Sequence, residues 1–227
     1  MNFTAILKQH KHKFKSVVPF TKGVDKIFNI KLCDAELNVP KHLQAADDNL
    51  SPWLYNHLQT IGAKYAVGGY NEIRSAYAKA SLFSGTTQPR RLHIGVDVFA
   101  PAGTPIYLPL QGKIHSYANN NSYGNYGPTI IFKHKLNGYN FYTLYGHNSL
   151  ASINIWEQLG TNNIEAGTCI GYMGSHVENV GWSPHLHFQI IINMQGQQGD
   201  YYGVCAPTEA EFYLNNCPDG NLILNML

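Results

Sequence analysis

Between Leu92 and Ile192 the chain reads as a succession of short apolar or alternating runs: Leu92–Phe99, Pro105–Leu108, Gly112–Tyr117, Thr129–His134, Tyr139–Tyr145, Thr168–Met173 and His185–Ile192. Turn-forming residues separate them. Runs this short and closely spaced leave a mainly β architecture, an antiparallel sheet or barrel-like sandwich, as the economical way to bury one face of each strand. The 15 Tyr, 10 Phe and 21 Gly point the same way, because aromatic residues suit pleated surfaces and glycine suits tight turns.

The texture differs on either side of residue 90. Before it, Phe3, Ile6, Leu7, His10 and Phe14 recur at helical spacing, and Ser51-Pro52 opens a second helix through Trp53, Leu54, His57, Leu58 and Ile61. Residues 1–89 are therefore read as a helical and irregular segment that packs on the core. Residues 90–227 form the β unit, which ends in a short helix from Pro207 to about Asn216 and an apolar tail, Leu222-Ile223-Leu224, that packs back.

The charge pattern excludes several classes of partner. With 16 Lys plus Arg against 14 Asp plus Glu, the formal charge is only +2, too small a field for nucleic acid. The basic run Lys8, His10, Lys11, His12, Lys13 and Lys15 reads as a solvated helix face. No window approaches the eighteen apolar residues of a membrane span, and Phe3–Leu7 is too short for an export signal. The expected compartment is the cytoplasm, with a signal-independent export route left open. Cys33, Cys169, Cys205 and Cys217 have no CxxC spacing, so reduced thiols are expected, with Cys205–Cys217 the pair to watch after export.

Chemistry concentrates in three short histidine motifs. His93 and Asp97 are four apart in a β-branched run with Gly95 between them. On a straight strand their Cα atoms would lie ~13 Å apart, too far to share an ion. A bend at Gly95 is therefore expected, bringing both donors onto one zinc. His185 and His187 are two apart and share a strand face, so that one can bind metal while the other stays free. Tyr145-Gly146-His147 lies between the two. Three ligands with spare imidazoles beside them describe a catalytic zinc site, since a structural site fills every position with protein ligands.

These motifs resemble the LytM/lysostaphin-type zinc peptidases of family M23, in the family's order: His93-x-x-x-Asp97, Tyr145-x-His147 and His185-x-His187. Val96-Asp97, Ala100-Pro101-Ala102-Gly103-Thr104-Pro105-Ile106 and Gly112-Lys113-Ile114 extend the resemblance over about residues 90–195. It implies the M23 (duplicated hybrid motif) fold, one Zn2+ held by His93, Asp97 and His187, and a catalytic pair, His147 and His185, with the general base assignable to either. It implies a metalloendopeptidase acting on a peptide or peptidoglycan-type substrate. Asn148 and Gln189 stand where Leu and Glu are common in the family. Gly68–Arg74, Asn119–Asn121 with Gly127–Ile131, and Gly203–Pro207 resemble a cytosolic branch in which such a domain lies between phosphotransferase-like and aminotransferase-like domains.

Tyr145 of the central motif and, outside the motifs, Tyr126 and Asn125 are candidate substrate contacts, and Tyr117 and Tyr123 with the asparagine run suggest a loop edging a groove. His115, His134 and His176 read as packing or rim residues. Gly69–Arg74 either covers one end of the site or anchors the N-terminal segment. Two other readings stay open at this stage: a non-catalytic, zinc-containing binding or regulatory module, and a cytosolic hydrolase of a small amide. The oligomeric state is not specified by these features.

Overall fold

The structure is a computed structural model, and it describes the chain apart from Met1, Asp34, residues 44–49, Ala76, and residues 78–82 and 84–87. In chain order the elements are α1 (Phe3–Gln9), β1 (Ile27–Asn29), α2 (Leu50–Ile61), β2 (Tyr65–Gly68), β3 (Glu72–Ile73), β4 (Leu92–His93) and β5 (Val96–Phe99). They continue with β6 (Pro105–Tyr107), β7 (Gly112–Asn120), β8 (Gly127–Leu136), β9 (Tyr139–Gly146), α3 (Ala151–Leu159), β10 (Cys169–Tyr172) and β11 (His185–Ile191). The chain ends with β12 (Val204–Cys205), α4 (Ala210–Asn216) and α5 (Asn221–Leu224).

A seven-stranded sheet in the order β1-β2-β5-β11-β9-β8-β7 carries the fold, flanked by the pair β10-β6 and by the small sheet β12-β4-β3. The mainly β reading holds. The large sheet is open, with β1 and β7 at its two edges, and does not close into a barrel among the described residues. It is also not purely antiparallel: β1 and β2 pair in parallel, which needs a crossover connection, and the chain between them carries α2. That pair lies in the stretch read from sequence as helical and irregular.

Alternation along the strands sorts the two faces of the sheet. On one face Val96, Phe188, Tyr145 and Ile130 line up across four strands and pack with Val98, Ile190 and Phe132. Phe3, Ile6 and Leu7 of α1, Trp156 of α3 and Ile223 and Leu224 of the tail close over them. Trp156 is fully buried and donates its indole N–H to the Ile170 carbonyl at 2.6 Å. The other face carries Asp97, His187 and Gly146 side by side, and faces the cleft described below. All four cysteines are free thiols.

One buried polar group makes the body of the fold pH-sensitive. His134 is 2% exposed; its Nδ1 lies 3.0 Å from the Gln111 carbonyl and its Nε2 2.7 Å from the Thr143 hydroxyl. Burial pushes its pKa down to about 4, against the opposing pull of the Gln111 and Leu110 carbonyls. The unfolded chain thus binds a proton that the native chain refuses between pH 6.5 and 4. The associated stability is full above pH 6.5 and falls by up to roughly 3 kcal/mol as pH drops to 4. Urea unfolding at pH 4 to 7 should give His134→Gln a shallower loss than wild type. Equal slopes would assign the acid sensitivity elsewhere.

Candidate metal centre

The chain crosses from the small sheet to the large one between β4 and β5, at Ile94 and Gly95. This is the expected break at Gly95. Glycine is needed here for space rather than for backbone freedom: a Cβ on Gly95 would lie 2.4 Å from Cε1 and Nε2 of the His187 ring. The crossing carries His93, from one sheet, over Asp97, from the other. The third partner comes from β11, whose His187 pairs directly with Asp97 on one side and with Gly146 on the other.

Three donors converge as a result. His93 Nε2 and His187 Nδ1 each lie 3.3 Å from Asp97 Oδ1, and the two ring nitrogens are 3.0 Å apart. Donors held ~2.1 Å from one ion at tetrahedral angles would be separated by ~3.4 Å. The three groups are buried. Asp97 Oδ1 has no aligned hydrogen bond, so a buried carboxylate oxygen and two ring nitrogens face one point. This donor set, two imidazoles and one carboxylate with room for a further ligand, fits a metal ion and is the one such group among the described residues.

Protonation is already set for an ion. Burial raises the Asp97 pKa, but His93 and the Arg74 guanidinium outweigh it and hold the carboxyl well below its usual range. Burial pushes the His93 imidazole down to about 4, with Arg74 reinforcing and Asp97 opposing. His93 Nδ1–H donates to the Gly69 carbonyl at 2.8 Å, which leaves Nε2 bare. Metal binding at neutral pH therefore needs no proton displaced from His93.

Two more imidazoles stand beside the cluster. His185 shares the face of His187, and its Nε2 lies 3.8 Å from Asp97 Oδ1 while its Nδ1–H donates to the Ser183 carbonyl at 2.6 Å. His147 follows β9 in the left-handed region (φ 63°), which swings its ring to within 4.1 Å of the His185 ring. Its Nδ1 is buried without a hydrogen-bond partner. Burial lowers both pKa values, His147 well below the usual range, with the neighbouring imidazole His185 adding to the effect on His147.

The five residues line one cleft, walled by Tyr77, Tyr126, Trp182 and Tyr202 and by Asn125, Arg90 and Asp200. Tyr126 and Asn125 are thus on its wall. Tyr145 is not. It pairs with Phe188 and shares that residue's face, so its ring packs against Phe132 and Phe188 and its hydroxyl bonds the Thr143 hydroxyl, on the far side of the sheet from the cleft. His115, His134 and His176 do not line the cleft.

Sequence reasoning gave Arg74 a place in the Gly69–Arg74 segment but no role of its own. Its guanidinium is 2% exposed and donates to Asp97 Oδ2 at 2.7 Å, to Glu72 at 3.1 Å and to the Tyr77 hydroxyl at 3.0 Å. This grip turns the other Asp97 oxygen toward the histidines. The available signal was Glu72 and Arg74, opposite charges two apart in a chain with few charges.

Residues 91–200 match the family model described as Peptidase family M23. The chain carries a peptidase family M23 domain. Its first seven residues bring in His93 and Asp97, and its last strand brings in His185 and His187. The chain is 36% identical over 146 residues to the DD-carboxypeptidase/endopeptidase Mpg of Neisseria meningitidis serogroup B, covering 62% of this chain and 30% of that protein. It is 38% identical over 96 residues to the uncharacterized lipoprotein YgeR of Escherichia coli, covering 42% and 33%. The chain thus spans about a third of the length of these curated relatives. Among solved structures, the catalytic domain of the antimicrobial peptidase lysostaphin from Staphylococcus simulans is similar at 24% identity and a TM-score of 0.42, covering 72% of this chain and 96% of that one.

Proposed function

We propose that this M23 domain is a zinc metallopeptidase that hydrolyses peptide bonds, with the stem or cross-link peptides of peptidoglycan as the substrate class. The observation that carries the reading is the pair of neutral, buried imidazoles, His147 and His185, beside a three-donor cluster that leaves room for a further ligand. A purely structural site has no use for them. The similarity to Mpg, a DD-carboxypeptidase/endopeptidase, supports the substrate class.

His93, Asp97 and His187 would hold the ion, which when bound supplies polarisation of the scissile carbonyl and a water acidic enough to ionise near neutral pH. His185 takes the water proton on Nε2. Its Nδ1–H already donates to Ser183, so the cation that forms keeps a partner on its second nitrogen. His147 offers the second proton-bearing ring, and its unpartnered Nδ1 faces no competing protein acceptor. It donates to the oxygen on which negative charge develops. Tyr126, Trp182 and Tyr202 exclude water and give an extended peptide apolar walls, and Asn125 offers a polar edge.

His147→Ala and His185→Ala should each purify with the wild-type zinc content and lose about 10²–10⁴-fold in cleavage of purified peptidoglycan. Metal analysis alongside release of soluble muropeptides checks both. Zinc loss in either variant would move that histidine into the ligand set, and wild-type turnover in both would refute the proton-transfer roles.

A further inference from the structure

We infer that Gln189 is a positioning residue for the metal: it holds the proton of His187 on Nε2 and so keeps Nδ1 bare for the ion. The inference rests on the zinc metallopeptidase reading above. It concerns how the ligand nitrogen is chosen, which that reading leaves open.

The orientation of the Gln189 amide follows from its partners. The side chain is fully buried, and its nitrogen donates to the Tyr202 carbonyl at 3.0 Å and to Cys217 Sγ at 3.2 Å. A backbone carbonyl only accepts, so the amide nitrogen must face Tyr202 and the amide oxygen must face the other way. That oxygen lies 2.9 Å from His187 Nε2. An amide oxygen also only accepts, so the ring must present an N–H there. One acceptor at Tyr202 thereby decides, through one amide, which nitrogen of His187 carries the proton.

The choice is contested. On the other side of the ring, Nδ1 lies 3.3 Å from the anionic Asp97 Oδ1, which attracts a proton to Nδ1. A proton there would occupy the lone pair that the ion needs. The Tyr126 hydroxyl, 3.3 Å from His187 Nε2, would favour the same wrong form by donating to Nε2 if the Gln189 oxygen were absent. Gln189 opposes both. It does so with a neutral group, adding no second anion beside Asp97 in a buried site. Ligand histidines whose second nitrogen is tied down in this way keep the ligating form populated, and apparent affinity scales with that population.

Two variants separate positioning from packing. Gln189→Leu removes the acceptor facing His187. Gln189→Glu keeps an acceptor facing His187 Nε2 and loses the donor to Tyr202, its added charge being offset by the dication. Zinc affinity of the full chain is read by competition with a chromogenic chelator, and the His187 Nε2–H by nitrogen-15 NMR of the zinc-loaded chain.

Gln189→Leu is expected to bind zinc about 10- to 100-fold more weakly and to lose the slowly exchanging Nε2–H. Gln189→Glu is expected to keep that N–H and to hold zinc within about threefold of wild type, even with a lowered melting temperature. A packing role predicts instead that affinity follows thermal stability, so that both variants fail together. That pattern, or wild-type affinity in Gln189→Leu, overturns the inference. If Gln189→Leu does not fold, a tenfold loss of affinity in Gln189→Glu overturns it alone. A wild-type chain that takes up no zinc overturns this inference and the metallopeptidase reading together, whereas tight zinc binding indifferent to Gln189 overturns this one only.

Discussion

Asp97→Asn should purify with far less than one zinc per chain and lose about a thousandfold or more of its peptidase rate, because a Lewis acid worth several kcal/mol goes with the metal. The substitution is nearly isosteric, and an amide oxygen can still accept from Arg74 Nη1, which now lies 2.7 Å from Oδ2. What disappears is the only anion among the three converging donors. Two neutral imidazoles and an amide make a poor set for a dication, since charge compensation in a buried site comes mainly from the carboxylate. His93→Ala should behave alike. Stripping the wild-type chain with a strong chelator and restoring zinc gives the control: activity should return to wild type and not to Asp97→Asn. Stoichiometric zinc in Asp97→Asn would show that Asp97 is not a ligand.

The position of that carboxylate was legible from very little sequence. Two donors four apart in a β-branched run needed a break to meet, and Gly95 was the residue at which the chain could break. The reason for glycine was less accessible, because the ring it accommodates belongs to His187, 92 positions later and adjacent only through strand pairing. Tyr145 shows the limit of motif proximity. It neighbours His147 in sequence, yet the left-handed turn at His147 interrupts the alternation, so the two rings end on opposite sides of the sheet. Strands β1 and β2 were invisible for another reason. Each is three or four residues long, and they pair with each other across α2, so no local periodicity marks them. Helix α3 was hidden by Ile153 and Ile155, which alternate as a strand would, although Gly160 at its C-cap, with φ 60°, was a stop signal in plain view.

Arg74 is the residue whose loss should cost the fold most. It bridges two carboxylates, Glu72 and Asp97, and all three side chains are nearly inaccessible to water. Burial alone would lower the guanidinium pKa, but Tyr77, Asp97 and Glu72 outweigh it and hold the charge on. Replacing one partner of such a network leaves the others charged and dry, at a cost of about 3–5 kcal/mol, which for a chain of this size lowers the melting temperature by about 10 °C. Arg74→Met should show that loss in the metal-free chain. Arg74→Lys should recover only part of it, since an ammonium is a single point charge and cannot reproduce a planar fork held against Glu72, Asp97 and Tyr77 at once. Removing Glu72 as well provides the decisive comparison. If the cost of Arg74→Met arises from stranded anions, Glu72→Gln in that background should restore stability, whereas in wild type the same change should reduce it. The opposite sign in the two backgrounds is the signature of coupling, and additive effects would mean that Arg74 acts through packing alone. Because the same guanidinium sets the orientation of Asp97, the stability of the small β3–β4 sheet and the geometry of the metal cluster depend on one side chain, supplied from a segment that precedes the M23 match at residue 91.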